Sequence, residues 1–209
     1  KVLREQALEI LYDAIPVYEQ ALELASVTPS RELLEGFGGV YQNLATLELN
    51  QAAPHLERAK ELYNLKRESF QVELAFVHRK LSFFLKDPED QLKELEAAQA
   101  FETDADAMQS ILTRMERIEQ RKHMHDVEEL LGRGEYQEAF EVLQKQPDSA
   151  DKEWRFLRAR ILDGLGQKLE AATIYSEFSD DPDLQLRAAR LYAQHPSDTS
   201  KGQAYVAYR

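Results

Sequence analysis

The sequence predicts an all-α protein: a right-handed α-solenoid of antiparallel helix pairs, with about five repeats and a truncated sixth. Three observations lead there. Good helix formers (Leu, Ala, Glu, Gln, Lys and Arg) dominate a chain of 209 residues that is 43% hydrophobic and 31% charged. Apolar residues recur three and four apart, as in Leu92, Leu95, Ala98 and Phe101, and no stretch sustains the strict alternation of a strand. A short pattern of small and large apolar residues returns along the chain at steps of 38, 39, 48, 32 and 33 residues, the range of two-helix repeats.

The elements follow from the breakers, since only 8 Gly and 7 Pro interrupt the chain. Residues 1–26 read as one kinked helix or two short ones, because Pro16 interrupts an apolar-periodic run. Thr28-Pro29-Ser30 separates this region from a helix near 31–49, and Asn50-Gln51 with Pro54 starts the next. Asp87-Pro88-Glu89-Asp90 is a turn followed by a good helix start, with Pro near the first helical position. Thr103-Asp104 can cap a helix over 104–131, unusually long for a globular protein. The remaining breaks fall at Gly132-Arg133-Gly134, Gln146-Pro147-Asp148, Gly164-Leu165-Gly166, Asp180-Asp181-Pro182-Asp183 and His195-Pro196-Ser197-Asp198. The sum is about ten helices, mostly of roughly 11–20 residues.

The recurring pattern marks the second helix of each pair: a small residue, a large one four positions on, and often Ala three further. Ala14, Tyr18, Ala21 and Ala52, Leu56, Ala59 fit it; Gln91, Leu95, Ala98, then Ala139, Leu143, Gln146, then Ala171, Tyr175, Phe178 each depart at one position. Ala204 and Tyr208 begin a sixth copy. The small residue admits a close helix, and the large ones fill the groove against the next repeat.

Gly134-Glu135-Tyr136-Gln137-Glu138-Ala139 and Gly166-Gln167-Lys168-Leu169-Glu170-Ala171 resemble the turn and second-helix start of tetratricopeptide (TPR) repeats. Ala159 and Leu162, and Tyr41, Leu44 and Ala45, stand where that family places its first-helix residues. The resemblance is close over 122–209 and loose over 31–101, where Tyr41 to Ala52 is about five residues shorter than the family pattern. The whole of 1–209 is expected to form one TPR-like superhelical domain, irregular over 1–101 and more regular over 102–209. Because the chain starts at Lys1 and stops inside an apolar-periodic run, it reads as a piece of a longer protein.

Charge and composition exclude several functions. The net charge of −12 is spread evenly, −6 over residues 1–100 and −6 over 101–209. Such acidity argues against nucleic acid or an anionic membrane as a partner, since phosphate contacts need excess Lys and Arg. No apolar run is long enough for a membrane span. Zero cysteine excludes disulfides and thiolate metal sites, and suits a bacterial periplasm as well as a cytoplasm.

The chemical motifs are weak. Gly36-Phe37-Gly38-Gly39 lacks the third Gly of a dinucleotide loop, where Tyr41 stands, and reads as close helix contact or a helix that starts late after Gly36. His123 and His125 point to different sides of a helix, and His125 with Glu129 makes only a two-ligand pair. Asp180-Asp181-Pro182-Asp183 is a turn and cap rather than a calcium loop. His195 and Ser197 flank a proline turn. Arg114, Arg117 and Arg121 form a basic stripe that needs partners from a neighbouring helix. Phe83, Phe84, Trp154 and Phe156 are core candidates, with Phe84 or Phe156 free to face a groove. No enzyme, cofactor or metal is expected.

The TPR resemblance implies a concave groove lined by first helices. It places Gln42, Thr46, Arg121, Met124, Glu128, Glu153, Phe156, Arg160 and Asp163 there. Those positions lack the Lys and Asn with which carboxylate-binding TPRs hold peptide C-termini, so the resemblance implies a protein surface or helix as partner. The expected function is a non-enzymatic scaffold for protein–protein interaction in a bacterial cell-envelope assembly. The family analogy is the periplasmic TPR region of exopolysaccharide exporters, with a polysaccharide-modifying enzyme or cationic polymer as partner. The alternative is a cytoplasmic TPR regulatory or sensor module that binds a peptide or partner helix.

Overall fold

A computed structural model describes residues 2–25, 28–145 and 151–194. Among them the chain is all helical: α1 (Val2–Leu24), α2 (Arg31–Leu47), α3 (Ala52–Asn64), α4 (Gln71–Phe84), α5 (Pro88–Phe101), α6 (Ala105–Arg133), α7 (Tyr136–Gln144), α8 (Lys152–Gly164), α9 (Lys168–Ser176) and α10 (Pro182–Ala193). These ten helices pack mainly on their sequence neighbours, as a helical repeat requires. None among the described residues is long and apolar enough to cross a membrane.

The helix starts expected at Asp87, Asp104 and Asp181 are capped, and Ser30, which the sequence marks only as part of a separator, is a further cap. Ser30 Oγ accepts the Leu33 N–H at 3.1 Å, and Asp87 accepts the Glu89 N–H at 2.7 Å with Pro88 beside it. Asp104 accepts the Ala107 N–H at 2.8 Å. Asp181 accepts from Asp183 and Leu184 at 3.1 and 3.2 Å, ahead of a helix opened by Pro182. Each cap satisfies amide groups that a helix start leaves open. Residues 2–24 form one helix despite Pro16. The long helix is real, at 29 residues. The breaks at Gln146-Pro147-Asp148 and His195-Pro196-Ser197-Asp198, and the sixth copy at Ala204 and Tyr208, lie outside the described residues.

Two turns repeat with the same geometry. Gly134 has φ +77° and Gly166 φ +81°. The following amides, Glu135 N and Gln167 N, reach back to Leu130 O and Leu162 O, both at 2.9 Å. This six-residue closure needs a left-handed residue at its centre, which glycine adopts without strain. The glycines are 32 residues apart, the same step as Ala139 to Ala171.

The break between α3 and α4 carries no Gly or Pro, and the breaker residues do not mark it. Between α3 and α4 the chain turns through a short 3₁₀ segment at Arg67–Ser69. Phe70 anchors it, fully buried against the Tyr63 ring at 4.9 Å between centroids. Burial of that ring substitutes for a breaker residue.

The chain divides into two compact units, residues 1–119 and 120–209. In the first, α1 to α5 enclose a core of Leu34, Phe37, Leu44, Leu62, Tyr63 and Leu74, while Leu95 and Ala98 of α5 meet Ile111 and Ile118 of α6. The four-residue Gly run sits within α2, which starts at Arg31, so a late start after Gly36 is ruled out. A Cβ on Gly36 or Gly38 would strike the Tyr18 or the Tyr63 ring; close helix contact is what these glycines provide. In the second unit, Val127 and Leu131 pack with Ala139, Trp154, Leu157 and Ile161. Ala159, Ala171, Tyr175, Ala188 and Tyr192 form a further core. The small residues of the recurring pattern are buried in α3, α5, α7 and α9.

Candidate functional site

The second unit holds a cleft of about 510 Å³ between the last turns of α6 and the start of α8. Arg121, Met124, His125 and Glu128 line it from α6, at the three-and-four spacing of one helix face. Glu153, Phe156 and Leu157 line it from α8 by the same rule. Leu157 is buried, Met124 and Phe156 are half-buried, and the charged residues are exposed. The cleft therefore has an apolar floor and charged walls, within the size range of ligand and side-chain pockets.

Phe156 is held in place from behind. Its ring meets Tyr175 edge-on at 6.4 Å and Phe178 at 6.3 Å, both on the side of α9. The Arg160 guanidinium stands 5.7 Å from the Phe156 ring centre, near enough for a cation–π contact. An aromatic anchor fixed by other rings loses little freedom when a partner covers it.

The structure gathers Arg121, Met124, Glu128, Glu153 and Phe156 around this cleft, with Arg160 touching it through Phe156. Asp163 is engaged elsewhere. It is buried, Lys168 Nζ donates to it at 2.5 Å, and Arg187 donates at 2.5 and 3.0 Å. Burial works to raise the Asp163 carboxyl, but the hydrogen bonds from Lys168 and Arg187 outweigh it and hold the group below its ordinary value. This node ties α8 to α9 and α10. Gln42 and Thr46 lie on α2, in the other unit. Gln42 Nε2 donates to the Tyr63 hydroxyl at 2.8 Å, and Thr46 Oγ1 donates to Gln42 O at 3.0 Å. Burial, with Glu73 and Glu35 nearby, pushes the Tyr63 phenol up to about 12.

Sequence reasoning missed His125 and Leu157 as cleft residues. Helical spacing could have found both, since each stands four positions after a groove residue, Arg121 or Glu153. Of the basic stripe, Arg114 donates to Ser82 O at 2.8 Å and lies over the Phe83 ring, so a carbonyl and a ring answer it. Phe84 packs onto the first core while Phe83 is exposed. Among the described residues no three His, Asp or Glu stand together in position to hold a metal ion.

Compared with protein-family models, curated proteins and solved structures, the chain finds no match.

Proposed function

We propose that this chain is a non-enzymatic, TPR-like α-solenoid scaffold that binds a protein partner, and that the α6–α8 cleft takes an apolar side chain of that partner's helix. The observation that carries this reading is the cleft itself. An aromatic anchor held by Tyr175 and Phe178 lies on its floor, ringed by charges of both signs. A buried anchor inside a polar rim is the usual anatomy of a protein-binding hot spot. The paired helices and the two matching glycine turns support the solenoid reading. The setting we favour is a bacterial cell-envelope assembly such as an exopolysaccharide exporter, in the periplasm. That choice rests on the irregular, cysteine-free array and its even acidity. There the partner is a polysaccharide-modifying enzyme, with a cationic polymer as a further ligand.

The test is affinity capture from the source cells with wild-type chain and Phe156→Glu as bait. A partner retained by wild type and reduced at least about tenfold by the variant, which costs one anchor, supports the reading. Equal retention by both removes the cleft from it.

A further inference from the structure

Helix α4 repeats one wall of the cleft. Glu73, Phe76, Val77 and Lys80 of α4 stand at the spacing of Glu153, Phe156, Leu157 and Arg160 of α8. The two stretches fall at the same place in their helix pairs. Phe76 lies fifteen residues before Gln91 and Phe156 fifteen before Ala171, the first members of the recurring pattern in α5 and α9. Three residues join α4 to α5, and three join α8 to α9. The buried faces agree as well: Leu74, Val77 and Leu81 of α4 are covered, as are Trp154, Leu157 and Ile161 of α8. Each ring carries the cation four places on. Lys80 Nζ stands 5.5 Å from the Phe76 ring centre, as the Arg160 guanidinium stands 5.7 Å from that of Phe156.

The α4 face is open although the helix has packed neighbours on both sides, α3 and α5. Phe76 is 36% exposed, and Val72 and Phe83, at 70% and 63%, extend the same face. At about 100° per residue the three fall within roughly 40° of one another. Exposed apolar side chains grouped in this way mark interaction surfaces. Helix α2 borders the face. Its Gln42 donates to the Tyr63 hydroxyl at 2.8 Å, and burial, then Glu73 of α4 and Glu35 of α2, raise that phenol. Gln42 and Glu73 thus meet around one hydroxyl at the edge of this face.

The charges describe the occupant. Glu73 stands three residues before Phe76 and Lys80 four after it, so a carboxylate and an ammonium group flank the ring one helical turn away on either side. Glu153 and Arg160 flank Phe156 in the same order. A helix laid along α4 presents its side chains at the same interval, so that each charge meets one of its turns. We propose that α4 carries a second docking site, centred on Phe76, for a helical segment with an apolar anchor, Lys or Arg one turn to one side of it and Asp or Glu one turn to the other. The proposal rests on the reading of the α6–α8 cleft as a docking site and extends it, because the shared charge order assigns both sites the same kind of segment. A segment with like charges on its two flanks meets repulsion at one end in either direction.

The test uses the whole chain and a displayed library of helices of about 15 residues, each with a central Leu and randomised charge one turn to either side. Wild type is expected to enrich sequences with opposite charges on the two flanks over those with like charges. Titration calorimetry with one enriched peptide should then count two peptides per chain, one with Phe76→Glu, one with Phe156→Glu and none with both, each change weakening its own site at least about tenfold. Phe76 lies at the surface, so circular dichroism and melting of Phe76→Glu should match wild type. A count of one that Phe156→Glu abolishes and Phe76→Glu leaves intact overturns the second site while the cleft reading stands. A count that Phe76→Glu lowers and Phe156→Glu leaves unchanged supports the α4 site and is a failure of the cleft reading. Equal enrichment of like and opposite flanks, or no enrichment, overturns the proposal.

Discussion

Replacing Gly38 by alanine is expected to destabilise the protein by about 2 kcal/mol, while the same change at the neighbouring Gly39 stabilises it by roughly 0.5–1 kcal/mol. Both residues lie inside α2, where alanine is the better helix former. Their surroundings set the signs apart. A Cβ on Gly38 would lie 2.4 Å from Tyr63 Cζ and 2.5 Å from Cε1, while one on Gly39 meets nothing within 4 Å. The Tyr63 ring has little room to retreat, being 1% exposed, packed on Phe70 and bonded through its hydroxyl to Gln42. Chemical denaturation of the two single variants checks the difference. A Gly38→Ala/Tyr63→Leu pair should lose less than the two single changes added together, because the smaller side chain removes the clash. Equal stabilisation by both alanines would contradict the close approach of α2 and α3.

Glu94→Ala is expected to cost about 3 kcal/mol, the low end for breaking a buried ion pair. Glu94 sits on α5 and accepts from Lys60 of α3 at 3.0 Å and from His78 of α4 at 2.6 Å. All three side chains are mostly shielded, and the His78 ring also stacks on Phe101. One carboxylate therefore ties three helices together, and its loss strands Lys60 with only the more exposed Glu57. Burial works to raise the Glu94 carboxyl, but hydrogen bonds from His78 and Lys60 outweigh it and hold it below its ordinary 4.5. A lowered folded value means that the ionised group contributes stability above pH 4.5, lost as pH falls through that lower value. Denaturation midpoints between pH 3 and 7 should thus fall on the acid side for wild type and fall less for Glu94→Gln. Parallel curves would show that the node does not couple folding to protonation.

How much was legible in the sequence depends on which residues carried the signal. Caps and glycine turns act locally, so Asp87, Asp104, Asp181, Gly134 and Gly166 could be read directly. The turn between α3 and α4 could not, because it is made by the buried Phe70 rather than by a breaker. Pro16 left two readings open, and α1 takes the continuous one. The groove residues on α6 and α8 share a cleft because helical spacing places each set on one face. Asp163 shows where spacing stops being informative. Its carboxylate is drawn to Lys168 and Arg187, and nothing local announces Arg187 as a partner 24 residues away. The acidic stretches likewise hide a division of labour: Glu94 and Asp163 are structural ties, while Glu128 and Glu153 line the cleft.

Docking of a partner at the α6–α8 cleft can be read out by site-specific photo-crosslinking in the source cells. A photoreactive residue at Glu153 lies on the cleft wall, and one at Glu170 is also exposed, on α9 and outside the cleft lining. A discrete crosslinked species is expected from position 153, absent from 170 and lost when Phe156→Glu is added. No adduct at 153, or the same adduct from both positions, would contradict docking there.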